Sequence, residues 1–181
     1  MSKYESIVPE KIETNTFEFY GASIVIDGDY NSYRGFTIKD LSNFFYGDER
    51  WYTSSDSIYH FIEIKSSKPL VINRFDFTTI ISKKFPENFK IESSMDDETW
   101  NIVYTGIAST TSSKNEYVKL ECEFKPTVCK YLKFTISRAD QASSVFHGLD
   151  GKIYGALSTN QNPFLYTNPD AYGIRKKDDS E

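Results

Sequence analysis

The chain has 181 residues, 16% of them aromatic and 26% charged, with a formal net charge of −5. That length suits one domain with tails, large enough to bury a core without a disulfide or metal staple. A net-negative chain lacks the basic footprint of a nucleic-acid binder, and no apolar run approaches the roughly eighteen residues of a membrane span.

Residues 1–20 are mixed and polar and read as an N-terminal extension. A strand is predicted at Ala22–Asp27, and residues 28–58 are irregular, rich in Gly, Asp, Asn, Ser and aromatics. His60–Lys65 carries Ile62 and Ile64 on one face and Glu63 and Lys65 on the other. Leu70–Thr79 sets Val71, Phe75 and Phe77 against Arg74 and Asp76. Phe89–Ser93 and Trp100–Thr105 flank the acidic turn Asp96-Asp97-Glu98 and predict a hairpin. Val118, Leu120, Cys122 and Phe124 alternate with Lys119, Glu121 and Glu123, the cleanest period-two run in the chain. Lys130–Ser137 buries Leu132, Phe134 and Ile136, and Lys152–Ala156 is a last short strand. Gly, Pro, Asn, Asp and Ser fill the intervals, and no segment keeps a 3.6-residue apolar period. Strands spaced this way predict an all-β sandwich or barrel. After Leu157 the composition shifts, and residues 158–181 read as an extended or disordered tail.

Five segments, in order, resemble the discoidin family, also called the coagulation factor 5/8 type C domain, a galactose-binding-like module. Trp51-Tyr52-Thr53-Ser54-Ser55 followed by His60-Phe61-Ile62-Glu63-Ile64 is similar to the family's tryptophan-serine segment and its W-I-x-I-D-L strand, with Pro69 to Phe77 as the strand beside it. Phe89 to Trp100 is similar to F-x-I-x-x-S-x-D-G-x-x-W, with Asp97 at the turn glycine. Lys130-Tyr131-Leu132-Lys133-Phe134 resembles the a-R-Y-L-R-F strand, and Asp150 to Gly155 resembles the closing E-I-x-x-Y-G. The resemblance spans about residues 20–156. It implies an eight-stranded antiparallel jelly-roll β-sandwich over 21–157, binding through loops at one end and normally without catalysis. The cysteine pair that ties the ends of many secreted members together is missing.

The same resemblance implies a structural calcium in sugar-binding members, held between an Asp-rich loop and the closing strand. Asp27, Asp29 and Asp150 are the candidate ligands; a plain Asp-Gly turn is the alternative. The Asp27 loop is not an EF-hand, since Ser32 takes the glycine position and Ile38 the position of the bidentate Glu. No other cofactor is expected. Trp51 and Trp100 read as packing residues.

Phe44, Phe45, Tyr46 and Tyr52 lie in the irregular stretch, and Phe85 follows Lys83-Lys84 in the loop before the hairpin. Aromatics beside charges such as Arg50 and Arg138 would make a contact patch, or two of the three at 44–46 would plug the sandwich. His60 and His147 have no accompanying nucleophile motif, so no enzyme is expected. Cys122 and Cys129 read as ordinary buried thiols, although a hairpin disulfide would also fit.

We therefore expect a non-catalytic module that docks to a protein partner in a larger assembly through the aromatic loops and the tail. The alternative is a carbohydrate-binding, lectin-like module with a structural calcium, using donors among Arg34, Asn43, Arg50, His60 and Arg138. A glycan partner belongs to that second reading; no nucleic-acid or membrane partner is expected. The opening Met-Ser-Lys-Tyr-Glu-Ser lacks the apolar core of a secretory signal, and with two cysteines the expected setting is intracellular or a non-secreted assembly.

Overall fold

The computed structural model describes residues 4–7, 11–13, 15–28, 44–45, 51–52, 59–81, 87–111, 116–137 and 147–158, with backbone only at 11–13, 51–52, 81 and 147–149. These residues form ten strands: β1 Glu5–Ser6, β2 Lys11–Glu13, β3 Thr16–Phe19, β4 Ala22–Gly28, β5 Trp51–Tyr52, β6 Tyr59–Ile81, β7 Glu87–Ser94, β8 Asn101–Ala108, β9 Glu116–Ser137 and β10 His147–Leu157. Every pairing is antiparallel.

Two long strands build both layers. The first part of β6 pairs β4 and the end of β9, and the end of β9 pairs β7, which pairs β8. The second part of β6 pairs the start of β9 on one side and β10 on the other. With the halves of β6 and β9 counted apart, β4, β7, β8 and β10 complete the eight strand segments of a jelly-roll sandwich.

The bends fall where the register slips. One slip lies between Lys65 and Leu70, the other between Ile72 and Arg74. Proline cannot donate to the ladder and is tolerated at such bulges; Pro69 sits in the first slip, and Pro126 in the β9 segment opposite the second. A sequence reading that ends one strand at Lys65 and starts another at Leu70 therefore sees a real break in pairing but misses that the strand continues across it.

The alternating apolar residues meet between the layers. Phe134 of the first layer packs against Phe75 at 5.0 Å and Phe77 at 4.8 Å of the second, and Phe77 meets Phe89 at 5.2 Å. Cys122 and Cys129 are buried free thiols, and burial pushes both up to about 12, which keeps them protonated.

The N-terminal segment corrects the expected boundary at residue 21. Glu5 and Ser6 pair β10, β3 pairs β4, and Ile7, Phe17 and Phe19 are buried in the common core. The sandwich thus takes in part of the segment read as an extension. The tail beyond Ser158 lies outside the described residues; Ser158 itself donates its backbone N–H to the Pro69 carbonyl at 3.0 Å.

Candidate functional site

Register gathers the long connections at one end. Gly28 opposite Ile62, Tyr59 opposite Ser137, Asn88 opposite Ser137 and Glu87 opposite Ala108 close the first layer there. Ile81 opposite Glu116 and His147 opposite Tyr52 close the second. The connections β4–β6, β6–β7, β8–β9 and β9–β10 all leave and re-enter at this end.

Beneath it lie two of the aromatics expected to touch a partner. Phe44 is fully buried and Phe45 is 6% exposed; their rings meet edge to face at 4.8 Å, and Phe45 reaches Phe75. Gly151 donates its N–H to the Phe44 carbonyl at 2.8 Å, and a Cβ at Gly151 would come within 2.6 Å of the Phe44 ring. The glycine lets the ring lie flat against β10, so Phe44 and Phe45 fill the core and are not contact residues. His60 is buried as well, which removes it from a list of surface donors, and Thr79 donates to the buried Glu87 at 2.8 Å.

Tyr46, Arg50, Phe85, Arg138 and Asp29, with Arg34 and Asn43, lie outside the described residues; Tyr52 and Trp51 contribute the backbone of β5. The two described members of the expected calcium set are separated. Asp27 sits opposite Glu63 in the first layer, accepting the Gly28 N–H at 2.9 Å, with Lys65 at 3.8 Å. Asp150 lines a groove of the second layer beside Arg74 and Lys152. Its left-handed φ of 55° marks a bulge, where the β10 register slips, and this accounts for Asp-Gly at that point as a turn. Among the described residues no three His, Cys, Asp or Glu side chains group as metal ligands.

The outer face of the first layer carries a site the sequence reading did not single out. Alternation points Ile107, Asn88, Ser137 and Tyr59 outward in one row, and Thr105, Lys90, Thr135 and Phe61 in the next. All but Phe61 line a groove of about 570 Å³ crossing β8, β7, β9 and β6 at the loop-bearing end. Tyr59 and Ile107, each 62% exposed, bound it; Phe89 and Gly106, Lys90 and short hydroxyl and amide side chains line the space between them. A cleft of this size suits a small ligand. The signal was legible: Tyr59 and Phe61 alternate with inward His60 and Ile62.

Below the groove a third row is charged: Glu92, Lys133, Glu63 and Asp27. Lys90 Nζ lies 3.5 Å from Glu92 Oε1, and the Lys133 ammonium stands 4.2 Å over the Trp100 ring. Trp100 therefore packs, but on the outer face and outside the core. The turn before it is tied down by its own side chains: the Ser94 hydroxyl accepts the Asp97 N–H at 2.9 Å, and Asp96 accepts the N–H groups of Thr99 at 2.8 Å and Glu98 at 2.9 Å. Those donors hold the Asp96 carboxyl down at about 2. Asp97 takes the left-handed φ of 65° that a glycine would otherwise supply. Glu63 is 8% exposed, and its buried Oε2 has no hydrogen-bond partner. Burial and then the neighbouring Asp97 raise it to about 7, against the opposing pull of Lys65 and Lys133.

The outer face of the second layer carries a network of ion pairs around Arg74. Arg74 donates through Nε and Nη2 to both oxygens of Asp76 at 2.8 and 2.9 Å, reaches Glu121 at 3.0 Å, and stacks 5.3 Å from the Tyr154 ring centre. Its hydrogen bonds to Asp76, the largest influence, raise its pKa further and keep it charged.

A family model for the F5/8 type C domain matches residues 11–147, so the chain belongs to the F5/8 type C domain family. No curated protein matches it in sequence. Among solved structures it is similar to the CBM32 module of AlyQ in complex with 4,5-unsaturated mannuronic acid, at 14% identity and TM-score 0.51, covering 76% of this chain and 96% of that one. A CBM32 module from Clostridium perfringens aligns at 15% identity and TM-score 0.54 over 83% of this chain and 98% of that one. Chitosan-binding module 1 of a chitosanase/glucanase from Paenibacillus sp. IK-5 aligns at 17% identity and TM-score 0.52 over 72% and 93%. Such identities show the fold. The expectation of protein docking is corrected: these three neighbours are named as carbohydrate- or chitosan-binding modules, and two of the proposed docking aromatics are core residues.

Proposed function

We propose that this chain is a non-catalytic carbohydrate-binding module whose ligand is a glycan. The observation that carries the reading is the groove on the outer face of the first layer. An exposed aromatic side chain, Tyr59, stands beside neutral hydroxyl and amide groups at the end where the connections gather. Sugar rings present an apolar face for an aromatic ring and a rim of hydroxyls for short polar side chains, and this groove offers both. The three neighbours named for sugar binding support the same reading. Binding without catalysis fits a groove whose described titratable side chains are Lys90 and Tyr59, with no acid–base pair across it.

The test is a glycan array with the full chain, followed by calorimetry on the best ligands. Saturable binding is expected, and Tyr59→Ala should weaken it about tenfold, the equivalent of about 1.4 kcal/mol. A blank array with and without added calcium would overturn the reading.

A further inference from the structure

The charge on the groove is set from outside it. Among the described lining residues, Lys90 is the one cation, and the other polar groups, Asn88, Thr105, Thr135 and Ser137, are neutral. Lys90 is compensated by Glu92, two residues on along the same strand and on the same face, at 3.5 Å. Glu92 is free to do this because of a second arrangement. The cation directly opposite it across the ladder is Lys133, and Lys133 directs its ammonium over the Trp100 ring. Glu92 is the less exposed partner of the pair, with its side chain 15% exposed against 44% for Lys90, so the carboxylate is the more enclosed member.

From this we infer that Glu92 is a specificity-determining residue that makes the groove select neutral glycans over uronates. This rests on the carbohydrate-binding reading and deepens it. A uronate would have to draw Lys90 away from Glu92 and then lie beside a carboxylate, on a chain of net charge −5. Like charges held close raise the cost of binding the wrong partner, and discrimination built this way works by repulsion. The span also limits the ligand. Tyr59 and Ile107 stand on strands three spacings apart, about 14 Å, so the floor between them takes a short stretch of chain.

The experiment measures the full chain against two panels at one ionic strength: neutral tetrasaccharides of β-linked glucose, mannose, galactose and N-acetylglucosamine, and tetramannuronate with tetragalacturonate. The wild type should bind at least one neutral ligand, and bind both uronates weakly but measurably, about tenfold or more below that ligand. Glu92→Gln should raise uronate affinity at least fivefold, and this gain should fall as salt rises. The double variant Lys90→Met, Glu92→Gln should lose the gain, which separates a freed Lys90 from a general loss of negative charge. Melting curves check that each variant folds. Wild-type binding of uronates as tight as neutral ligands would overturn the inference while leaving the glycan reading standing. So would an unchanged uronate affinity in folded Glu92→Gln, or neutral binding that ignores both Tyr59→Ala and Thr135→Val. Failure of every glycan in both panels would take the glycan reading down with it.

Discussion

The two outer faces of the sandwich handle nearly buried carboxylates in opposite ways. On the second layer Asp76, 5% exposed, receives both arms of Arg74, which also reaches Glu121 and the Tyr154 ring. On the first layer Glu63, 8% exposed, has a buried oxygen without a partner and faces Asp97, another acid. A bidentate guanidinium repays the loss of water around a carboxylate; a second carboxylate does not, so Glu63 turns to a proton instead. On the second face Arg74 and its acidic neighbours are thus paired with one another. The first carries, above its charged row, a partly aromatic groove whose one described cation is Lys90. Polar groups already paired with one another have less to offer a ligand, which supports placing the proposed recognition on the first layer.

Breaking the Arg74 network should give the largest effect. Arg74→Met leaves Asp76 unpaired in a nearly dry position, and removing one partner of such a pair costs about 3 kcal/mol. Chemical denaturation at pH 7 should show this as a lower midpoint with an unchanged slope. Glycan affinity in the folded variant should stay within about twofold, because the groove lies on the opposite face. A fall in affinity as large as that of Tyr59→Ala would show that the two faces are not independent.

Glu63 offers a smaller effect of opposite sign. Its pKa in the folded protein is raised to about 7 from an ordinary value of 4.5. The folded state therefore holds the proton more tightly than the unfolded chain. The resulting stability is fully present below pH 4.5 and is lost as pH rises through 7. Burial is the main cause, Asp97 from the turn adds to it, and Lys65 on the same strand and Lys133 on the neighbouring strand oppose it. Glu63→Gln keeps the shape and removes the charge. It should raise Tm at pH 8 by about 2–4 °C, leave it unchanged at pH 4 and flatten the profile between. An unchanged profile would mean that Glu63 is already satisfied by a partner other than a proton.

The architecture was legible in the sequence because period-two alternation is a local signal. Phe89 to Ser93, Val118 to Phe124 and Leu132 to Ile136 each state their own inward face, and the motifs around them order the strands. What could not be read locally was continuity. A proline at a bulge and a proline at a strand end leave the same mark, so Pro69 and Pro126 looked like boundaries where β6 and β9 merely bend. The site was harder for the same reason. Whether Phe44 and Phe45 are contacts or core depends on Gly151, remote in sequence, leaving room for a ring. Tyr59 was readable as outward, but that it would bound a groove with Ile107 depended on the β6–β9–β7–β8 order. The calcium set depended on topology as well: Asp27 and Asp150 belong to different layers, and Asp29 lies outside the described residues.

The hairpin turn provides the smallest effect and the acid-side counterpart of Glu63. Asp96 is exposed, yet the backbone N–H groups of Thr99 and Glu98 and the Ser94 hydroxyl hold its carboxyl at about 2, below the usual 3.8. Here the folded state prefers the charged form. Its contribution is present above pH 3.8 and is lost as pH falls through 2, the reverse of the Glu63 limb. Asp96→Ala should therefore shrink the acid-side fall in stability while leaving the alkaline limb to Glu63. Hydrogen exchange at the Glu98 and Thr99 amides reads the local loss directly, since those protons lose their acceptor. Protection there should drop several-fold at neutral pH with little change in the β7 and β8 ladder. If the ladder amides lost protection too, the turn would be holding the register of the first layer, and the groove floor on Asn88 and Thr105 would depend on it.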